Sequence, residues 1–146
     1  MVIMSKFAEN LSALMIERNI NAPSLAKALK TDRSNITRYL RGERLPLFHG
    51  FIAILEYFNV SADVLLGLLD YVPERTFYPL PPFGDRLRAV MQETKTTQYR
   101  IELEANISGG SMYKWLSNQT VPTVESLVKL AKYMEVSVDY LLGRIN

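Results

Sequence analysis

The sequence of 146 residues contains no cysteine and a single histidine, His49. The absence of cysteine excludes disulfides, thiolate metal sites and cysteine nucleophiles, and it fits a reducing compartment. A lone imidazole makes a metal site improbable, because such sites need several nitrogen or sulfur ligands. The carboxylates do not converge on a visible acid–base pair, and no phosphate-binding glycine loop is present. We therefore expect no cofactor, no metal, no small-molecule ligand and no enzymatic activity.

Long apolar runs are also missing. The longest uncharged stretch, Leu45–Leu55, is too short to cross a bilayer. The first ten residues carry Lys6 and Glu9 and lack the apolar core of a signal peptide. Hydrophobic residues make up 48% of the chain and charged residues 22%, which is typical of a globular protein and not of a disordered one. These features predict a cytoplasmic protein without a membrane partner.

The chain has little excess charge, with a formal net charge of +2. The segment Lys27–Arg44 nevertheless carries six basic and two acidic side chains, a local excess of four. The basic residues are Lys27, Lys30, Arg33, Arg38, Arg41 and Arg44, and the acidic residues are Asp32 and Glu43. A short basic segment on a near-neutral protein is typical of a nucleic-acid contact surface. On charge alone, a solvated helix face remains the alternative interpretation.

The sequence repeats itself once. A shift of 76 positions aligns residues 7–67 with residues 83–143 without a gap, and fourteen positions then coincide. Most of them are apolar or turn positions, as expected for a scaffold that persists while its surface changes. The shift is longer than the period of helical solenoids, about 20–50 residues, and it therefore predicts a duplicated domain.

Within each copy the apolar residues recur at helical spacing. Apolar side chains at i, i+4, i+7 and i+8 from Phe7 predict a first helix from about Ser5 to Arg18. Polar residues able to cap later helices are Asn21, Asp32 and Ser61 in the first copy and Thr97, Ser108, Thr123 and Ser137 in the second. No segment alternates like a strand. The sequence predicts an all-α chain with five short helices in each copy.

The predicted boundaries place one copy in residues 1–69 and the other in residues 83–146. Between them, residues 70–82 hold four prolines and several large apolar residues. The prolines exclude a continuous helix, and the apolar side chains are too many for a solvated tether. We expect this Pro-rich apolar linker to pack along one or both copies, or to supply a dimer contact.

The helix, short turn and second helix predicted within Asn21–Pro46 are the arrangement of a DNA-binding helix-turn-helix. Here the sequence resembles the Cro/repressor-like (XRE) family of transcriptional regulators. The resemblance covers nearly the whole chain, once per copy, and its strongest signature is the run from Val136 to Gly143. It implies two tandem five-helix lambda-repressor-like domains. The third helix of each would lie in the major groove of double-stranded DNA, and repression is the expected role.

Carried over from the family, the base-reading residues of the first copy are Arg33, Ser34, Asn35, Thr37 and Arg38, with Arg41 and Arg44 near phosphates. The chemistry of these side chains agrees with that assignment. An arginine fork can grip guanine O6 and N7 together, and an asparagine amide can pair with adenine N6 and N7. The serine and threonine hydroxyls can reach bases or phosphates. Exposed polar residues on an amphipathic helix are the alternative interpretation.

In the second copy the same positions are Gly109, Gly110, Ser111, Tyr113 and Lys114, and Gln98 matches a glutamine with which the family contacts phosphate. The stretch Leu103–Thr120 has no net charge, so we expect the first copy to carry most of the DNA affinity. Two positions depart from the family pattern. Glu102 stands where the family has a small residue, and Lys30 and Asn106 stand where the helix-turn-helix turn usually has glycine.

A function of a different class stays open at this point. An antitoxin-like or adaptor protein could use the helix-turn-helix folds and the apolar linker to bind protein instead of DNA. The sequence also leaves a homodimer possible, because DNA-binding modules of this kind commonly read two half-sites.

Overall fold

The structure, a computed structural model, describes residues 2–146, in which it contains ten α-helices and no strand. The chain divides into two compact units between Arg75 and Thr76. The first unit contains α1 (Val2–Glu17), α2 (Ala22–Leu29), α3 (Arg33–Leu40), α4 (Phe48–Phe58) and α5 (Ala62–Leu65). The second contains α6 (Phe83–Glu93), α7 (Gln98–Glu104), α8 (Gly109–Leu116), α9 (Val124–Met134) and α10 (Val138–Leu142). The predicted all-α class is confirmed for these residues.

Most helices begin at a side chain that caps them, as the sequence predicts. In the first unit, Asn21 Oδ1 accepts a hydrogen bond from the Ser24 amide at 2.9 Å, and Ser61 caps α5 in the same way. In the second unit all four predicted caps accept a hydrogen bond from the amide three residues later: Thr97, Ser108, Thr123 and Ser137. Each such bond satisfies an amide that would otherwise lack a partner, and it fixes where the helix starts.

Two local predictions about the first unit are wrong. Asp32 occupies the N-cap position of α3, but its carboxylate makes no capping hydrogen bond. The Asn35 amide, which it would cap, donates instead to the Asp32 backbone carbonyl at 3.0 Å. Helix α1 begins at Val2 and not near Ser5, because Ile3 is buried and extends the apolar stripe by one turn.

The helices of the two units follow the same order at nearly the same spacing. Both ends of α3 and α8, and both ends of α4 and α9, differ by 76 residues. Each unit also has its own core. In the first, the Phe7 ring is fully buried and lies edge-on to Tyr39 at 6.1 Å and tilted against Phe51 at 6.3 Å. In the second, the fully buried residues include Leu87, Ile101, Met112, Leu127 and Leu141.

The second unit is closed by a buried ion pair near its last residues. Arg144 is only 2% exposed, and its Nη1 donates to Asp139 Oδ1 at 2.6 Å. Its guanidinium also lies 4.0 Å from the centre of the Phe77 ring. The Tyr78 amide donates to the Arg144 carbonyl at 2.9 Å. Phe77 and Tyr78, from the predicted linker, therefore contact the last residues of this unit.

The predicted linker is divided between the two units. Its first part is tied to the first unit, where Asn59 Nδ2 donates to the Arg75 carbonyl at 3.4 Å. Its second part is tied to the second unit through Phe77 and Tyr78. The boundary between Arg75 and Thr76 consequently falls inside residues 70–82.

Candidate nucleic-acid interface

The turn between α2 and α3 presents α3 on the surface of the first unit. Lys30 closes α2 in the left-handed conformation, with φ of 56°, and its amide donates to the carbonyls of Ala26 and Lys27. This conformation costs a residue with a side chain about 1–2 kcal/mol relative to glycine. Leu25 and Ile36 are fully buried and bring α2 and α3 against the same core. The polar face of α3 is thereby turned outward.

The five predicted base-reading residues lie together on this outer face. Arg33, Ser34 and Arg38 are exposed, while Asn35 and Thr37 are half-buried. Arg33 and Thr37, like Ser34 and Arg38, are four residues apart and therefore neighbours on the helix surface. Two of the side chains also make local hydrogen bonds. Asn35 Nδ2 donates to Thr31 Oγ1 at 2.9 Å, and Thr37 Oγ1 donates to the Arg33 carbonyl at 3.1 Å.

The two arginines that follow α3 differ in their surroundings. Arg41 is exposed, and its ion pair with Glu43 is long, at 3.9 Å, and open to solvent. Such a surface pair is worth about 0–1 kcal/mol, so a phosphate can compete for this arginine. Arg44 is half-buried, and its positive charge interacts electrostatically with the Tyr39 phenol. Burial raises the pKa of Tyr39, and the Arg44 charge opposes that rise. Tyr39 is buried, and the charge of Arg44 lies close enough to its phenol to affect that pKa.

The equivalent residues of the second unit are also accessible, although one of them is engaged in a helix cap. Tyr113 and Lys114 are exposed, and a Cβ added at Gly110 would meet nothing within 4 Å. Gln98 is half-buried at the start of α7. Ser111 is the residue engaged in the cap of α8. Its hydroxyl accepts a hydrogen bond from Ser108 Oγ at 2.9 Å, and its amide donates to Ser108 Oγ.

Glu102 lies directly against the start of α8. A Cβ built on Gly109 would come within 2.8 Å of Glu102 Oε1, so the carboxylate occupies the space that a side chain at position 109 would fill. The first unit has Ala26 and Arg33 at the two equivalent positions, 76 residues earlier. The small residue is therefore on the first helix of the pair in the first unit and on the second helix of the pair in the second unit. The carboxylate also brings negative charge to a helix N-terminus, where a phosphate would otherwise be favoured.

The charges on the two helix pairs are very different. Helices α2 and α3 carry three cations, Lys27, Arg33 and Arg38, and no anion. Helices α7 and α8 carry Arg100 and Lys114 but also Glu102 and Glu104, so they have no net charge. Arg100 is further neutralised, because its Nη1 donates to Glu104 Oε1 at 2.7 Å. Hydrogen bonds from Arg100 and from Tyr133 lower the pKa of Glu104.

Sequence reasoning missed a further feature of the second pair, namely two large apolar side chains on α7 that point into solvent. Tyr99 is 72% exposed and Leu103 is 66% exposed. The first unit has Pro23 and Lys27 at these positions. The signal in the sequence was the i, i+4 spacing of two apolar residues on the side of α7 that does not contain the buried Ile101.

Within residues 2–146, the structure contains no group of three or more histidine, cysteine or acidic residues placed to hold a metal ion. In the same part of the chain, every helix is too short or too polar to cross a membrane.

Comparisons with known proteins bear on part of the chain. Residues 87–141 match the helix-turn-helix family. Over 60 residues the chain is 38% identical to the transcriptional repressor RstR of the cryptic phage CTXphi, from Vibrio cholerae serotype O1. That match covers 41% of this chain and 54% of the relative, so the chain spans about half the length of the curated protein it matches. No solved structure gives a significant match. Residues 87–141 are therefore similar in sequence to a helix-turn-helix domain.

Proposed function

We propose that this protein is a sequence-specific regulator of transcription, with repression as its role, that binds double-stranded DNA through two tandem helix-turn-helix copies. The matched domain at residues 87–141 and the relative named as a transcriptional repressor support DNA binding and regulation. The identical order and 76-residue spacing of the helices support a second copy in the first unit. The exposed cations of α2 and α3, two helices that contain no acidic residue, are the observation that carries the proposal.

Helix α3 is the main recognition helix in this proposal. Arg33 and Arg38 are exposed and unhindered, so each can reach the O6 and N7 atoms of a guanine. The bond from Asn35 Nδ2 to Thr31 uses one amide hydrogen, which leaves the other hydrogen and Oδ1 to pair with an adenine. Further positive charge on this unit comes from Lys27, Arg41 and the half-buried Arg44. These cations are suited to binding the phosphates of the DNA backbone.

The second copy reads DNA more weakly than the first in this proposal. Helices α7 and α8 have as many anions as cations. The Glu102 carboxylate at Gly109 also repels a phosphate from the start of α8. Lys114, Ser111, Gly110, Tyr113 and Gln98 remain its candidate contacts.

Selection of bound sequences from a random duplex library, followed by affinity measurements on the selected site, tests the proposal. Arg38→Ala should relax the preference at particular base pairs and cost about 1–3 kcal/mol on the best site. Arg44→Ala should weaken all sequences alike and make the log–log salt slope shallower by about one. An unchanged preferred sequence in Arg38→Ala would remove the assignment of α3 as the recognition helix.

The ranking of the two copies needs a matched pair of double variants. Arg33→Ala with Arg38→Ala removes two candidate contacts from α3, and Ser111→Ala with Lys114→Ala removes two from α8. Measured on one duplex at one salt concentration, the first pair should lose far more affinity than the second. An equal or larger loss from the second pair would show that the ranking by local charge is wrong.

A protein-binding module is the second candidate, and the exposed Tyr99 and Leu103 favour it for the second copy. The two functions differ in how added salt changes the binding affinity. A DNA-binding surface loses affinity with a log–log slope of about −0.9 per neutralised phosphate. Failure of the full chain to bind any duplex at low salt would favour the protein-binding module.

A further inference from the structure

We infer that Thr31, in the turn before α3, orients the Asn35 side chain and makes it distinguish adenine from guanine. This role rests on the proposed function, because it concerns one base pair of the duplex that α3 would bind. The observation behind it is a hydrogen bond of 2.9 Å, in which Asn35 Nδ2 donates to Thr31 Oγ1. Thr31 is a positioning residue in this role, since it acts through the amide of Asn35 and not through a DNA contact of its own.

The backbone holds Thr31 where its hydroxyl can meet Asn35. The Thr31 amide donates to the Ala26 carbonyl at 2.9 Å, which ties the residue to the end of α2. Ala26 is buried, so this anchor belongs to the core of the first unit. Thr31 is half-buried and β-branched, and both properties limit the rotamers of its hydroxyl. The acceptor for Asn35 therefore has a defined position just before α3 begins.

The Asn35 side chain is restrained by this acceptor. Its backbone is already fixed, because the Asn35 amide donates to the Asp32 carbonyl at 3.0 Å. The side-chain amide is planar and offers two hydrogens on Nδ2 and the acceptor Oδ1. The bond to Thr31 takes one of these hydrogens and determines how the plane is turned. One hydrogen and Oδ1 remain for a base.

The groups that remain match adenine and conflict with guanine. In the major groove adenine presents one acceptor, N7, and one donor, N6, whereas guanine presents two acceptors, N7 and O6. An unrestrained asparagine has two amide hydrogens and can turn both toward guanine. With one hydrogen bonded to Thr31, Asn35 has one donor and one acceptor for the base. Opposite guanine its Oδ1 would face O6, and two acceptors without a hydrogen between them disfavour that base.

The equivalent positions of the second unit lack both members of this pair. In the sequence, 76 residues later, Ile107 corresponds to Thr31 and Ser111 corresponds to Asn35. Ile107 is buried, and its side chain has no hydrogen-bond acceptor. Ser111 bonds instead to the cap residue Ser108 at 2.9 Å. The hydroxyl and the amide are thus present together in one unit and absent together from the other, as expected if they act jointly.

The hydroxyl of Thr31 can be removed without disturbing the helix itself. Its bond is to a side chain, so the backbone hydrogen bonds of α3 do not depend on it. Thr31→Val keeps the shape of the side chain and removes the acceptor. Thr31→Ser is the matched control, because serine keeps the hydroxyl and loses only a methyl group. Urea unfolding followed by circular dichroism will show that each variant is folded.

A double-mutant cycle on one base pair tests the inference. The base pair is the one at which Asn35→Ala loses its preference in the library selection. The affinity of the full chain is then measured for two duplexes, with A·T or G·C at that base pair, at one salt concentration. A ratio of these affinities is insensitive to any loss of folding or of phosphate contacts, because such a loss affects both duplexes equally.

The wild type should prefer adenine by about fivefold or more. Thr31→Val should lower this preference about twofold to tenfold, as expected for the loss of one hydrogen bond, and Thr31→Ser should retain it. In the Asn35→Ala background, Thr31→Val should leave the ratio unchanged, because the amide through which Thr31 acts is gone.

Two results would overturn this role of Thr31 while the proposed function stands. One is a Thr31→Val ratio equal to that of the wild type. The other is an equal effect of Thr31→Val with and without the Asn35 side chain, which would show that Thr31 contacts the base directly. An Asn35→Ala variant that keeps every base preference would also refute it, because Asn35 would then read no base. If the wild type binds no duplex at low salt, the proposed function fails and this role fails with it.

Discussion

Substituting two glycines of the second unit by alanine should change its stability in opposite directions. Gly84 is buried at the start of α6, and a Cβ there would lie 2.9 Å from the Leu116 carbonyl oxygen and 2.7 Å from Asn118 Oδ1. It would come closer still to the Trp115 carbonyl. Ordinary contacts between carbon and a carbonyl oxygen are about 3.3–3.6 Å. Since two of the three atoms belong to the backbone, the helices themselves must separate by roughly half an ångström or more.

The expected cost of Gly84→Ala follows from this clash. Forcing an extra methyl into a packed site costs about 1–3 kcal/mol. The Gly84 amide also donates to Asn118 Oδ1 at 2.7 Å, and losing that bond would add about 0.5–1.5 kcal/mol. A unit the size of residues 76–146 has a total stability of roughly 4–11 kcal/mol. Gly84→Ala should therefore remove a large part of it.

Gly110→Ala is the matched control in the same unit. Its Cβ would meet nothing within 4 Å, and alanine favours a helix over glycine by up to about 1 kcal/mol. The single tryptophan, Trp115, is buried in this unit, so its fluorescence during urea unfolding reports on the second unit alone. With a slope of about 1 kcal/mol per molar urea, the midpoint should fall by at least about 1 M for Gly84→Ala and rise for Gly110→Ala. Equal midpoints for Gly84→Ala and the wild type would refute the reasoning from close packing.

Four further changes have predictable effects on stability. Arg144→Met removes the guanidinium of the buried ion pair and should destabilise the second unit by about 3–5 kcal/mol in the same fluorescence assay, and a loss below 1 kcal/mol would contradict the role of that pair. Lys30→Gly relieves a left-handed residue and should raise the free energy of unfolding of the first unit by about 1 kcal/mol in urea unfolding followed by circular dichroism. Asn59→Gly, at an asparagine with φ of 53°, should give a smaller gain, because asparagine tolerates this conformation better and the substitution also removes the hydrogen bond from Asn59 Nδ2 to the Arg75 carbonyl. The pKa of Glu104 is lowered by its hydrogen bond from Arg100, so its contribution is present above the unfolded pKa and is lost as the pH falls through the folded pKa. Glu104→Gln should therefore flatten the decline in stability of the second unit on acidification below pH of about 5, measured by the same fluorescence, and an unchanged decline would count against this linkage.

Features that depend on neighbours in the sequence were predictable. Apolar spacing from Phe7 indicated a helix, and hydroxyl residues such as Ser108 and Thr123 indicated where helices begin. These signals are local, because a cap bonds an amide only three residues away. The outward position of Arg33 and Arg38 followed from the burial of Ile36 between them.

Features that depend on contacts between distant residues were not predictable. The pairing of Glu102 with Gly109 requires knowledge of how two helices cross. The burial of Arg144 depends on Phe77, 67 positions earlier, which the sequence presents only as part of an apolar linker. Asp32 was misjudged for a related reason, because its carboxylate competes with its own carbonyl for the Asn35 amide. Local propensity cannot decide such a competition.

The hydrogen bonds that join Tyr78 to the last residues of the second unit bear on how that unit can be used as a building block. The Tyr78 amide bonds to the Arg144 carbonyl, and Asn146 Nδ2 donates to the Tyr78 hydroxyl at 3.1 Å. Entry and exit of the polypeptide are therefore adjacent. A module with adjacent ends can be inserted into a surface loop of a host protein, or circularly permuted through a short connector, without stretching either partner. A fluorescent or enzymatic host carrying residues 76–146 in this way would report directly, through its own signal, on whether the inserted unit is folded.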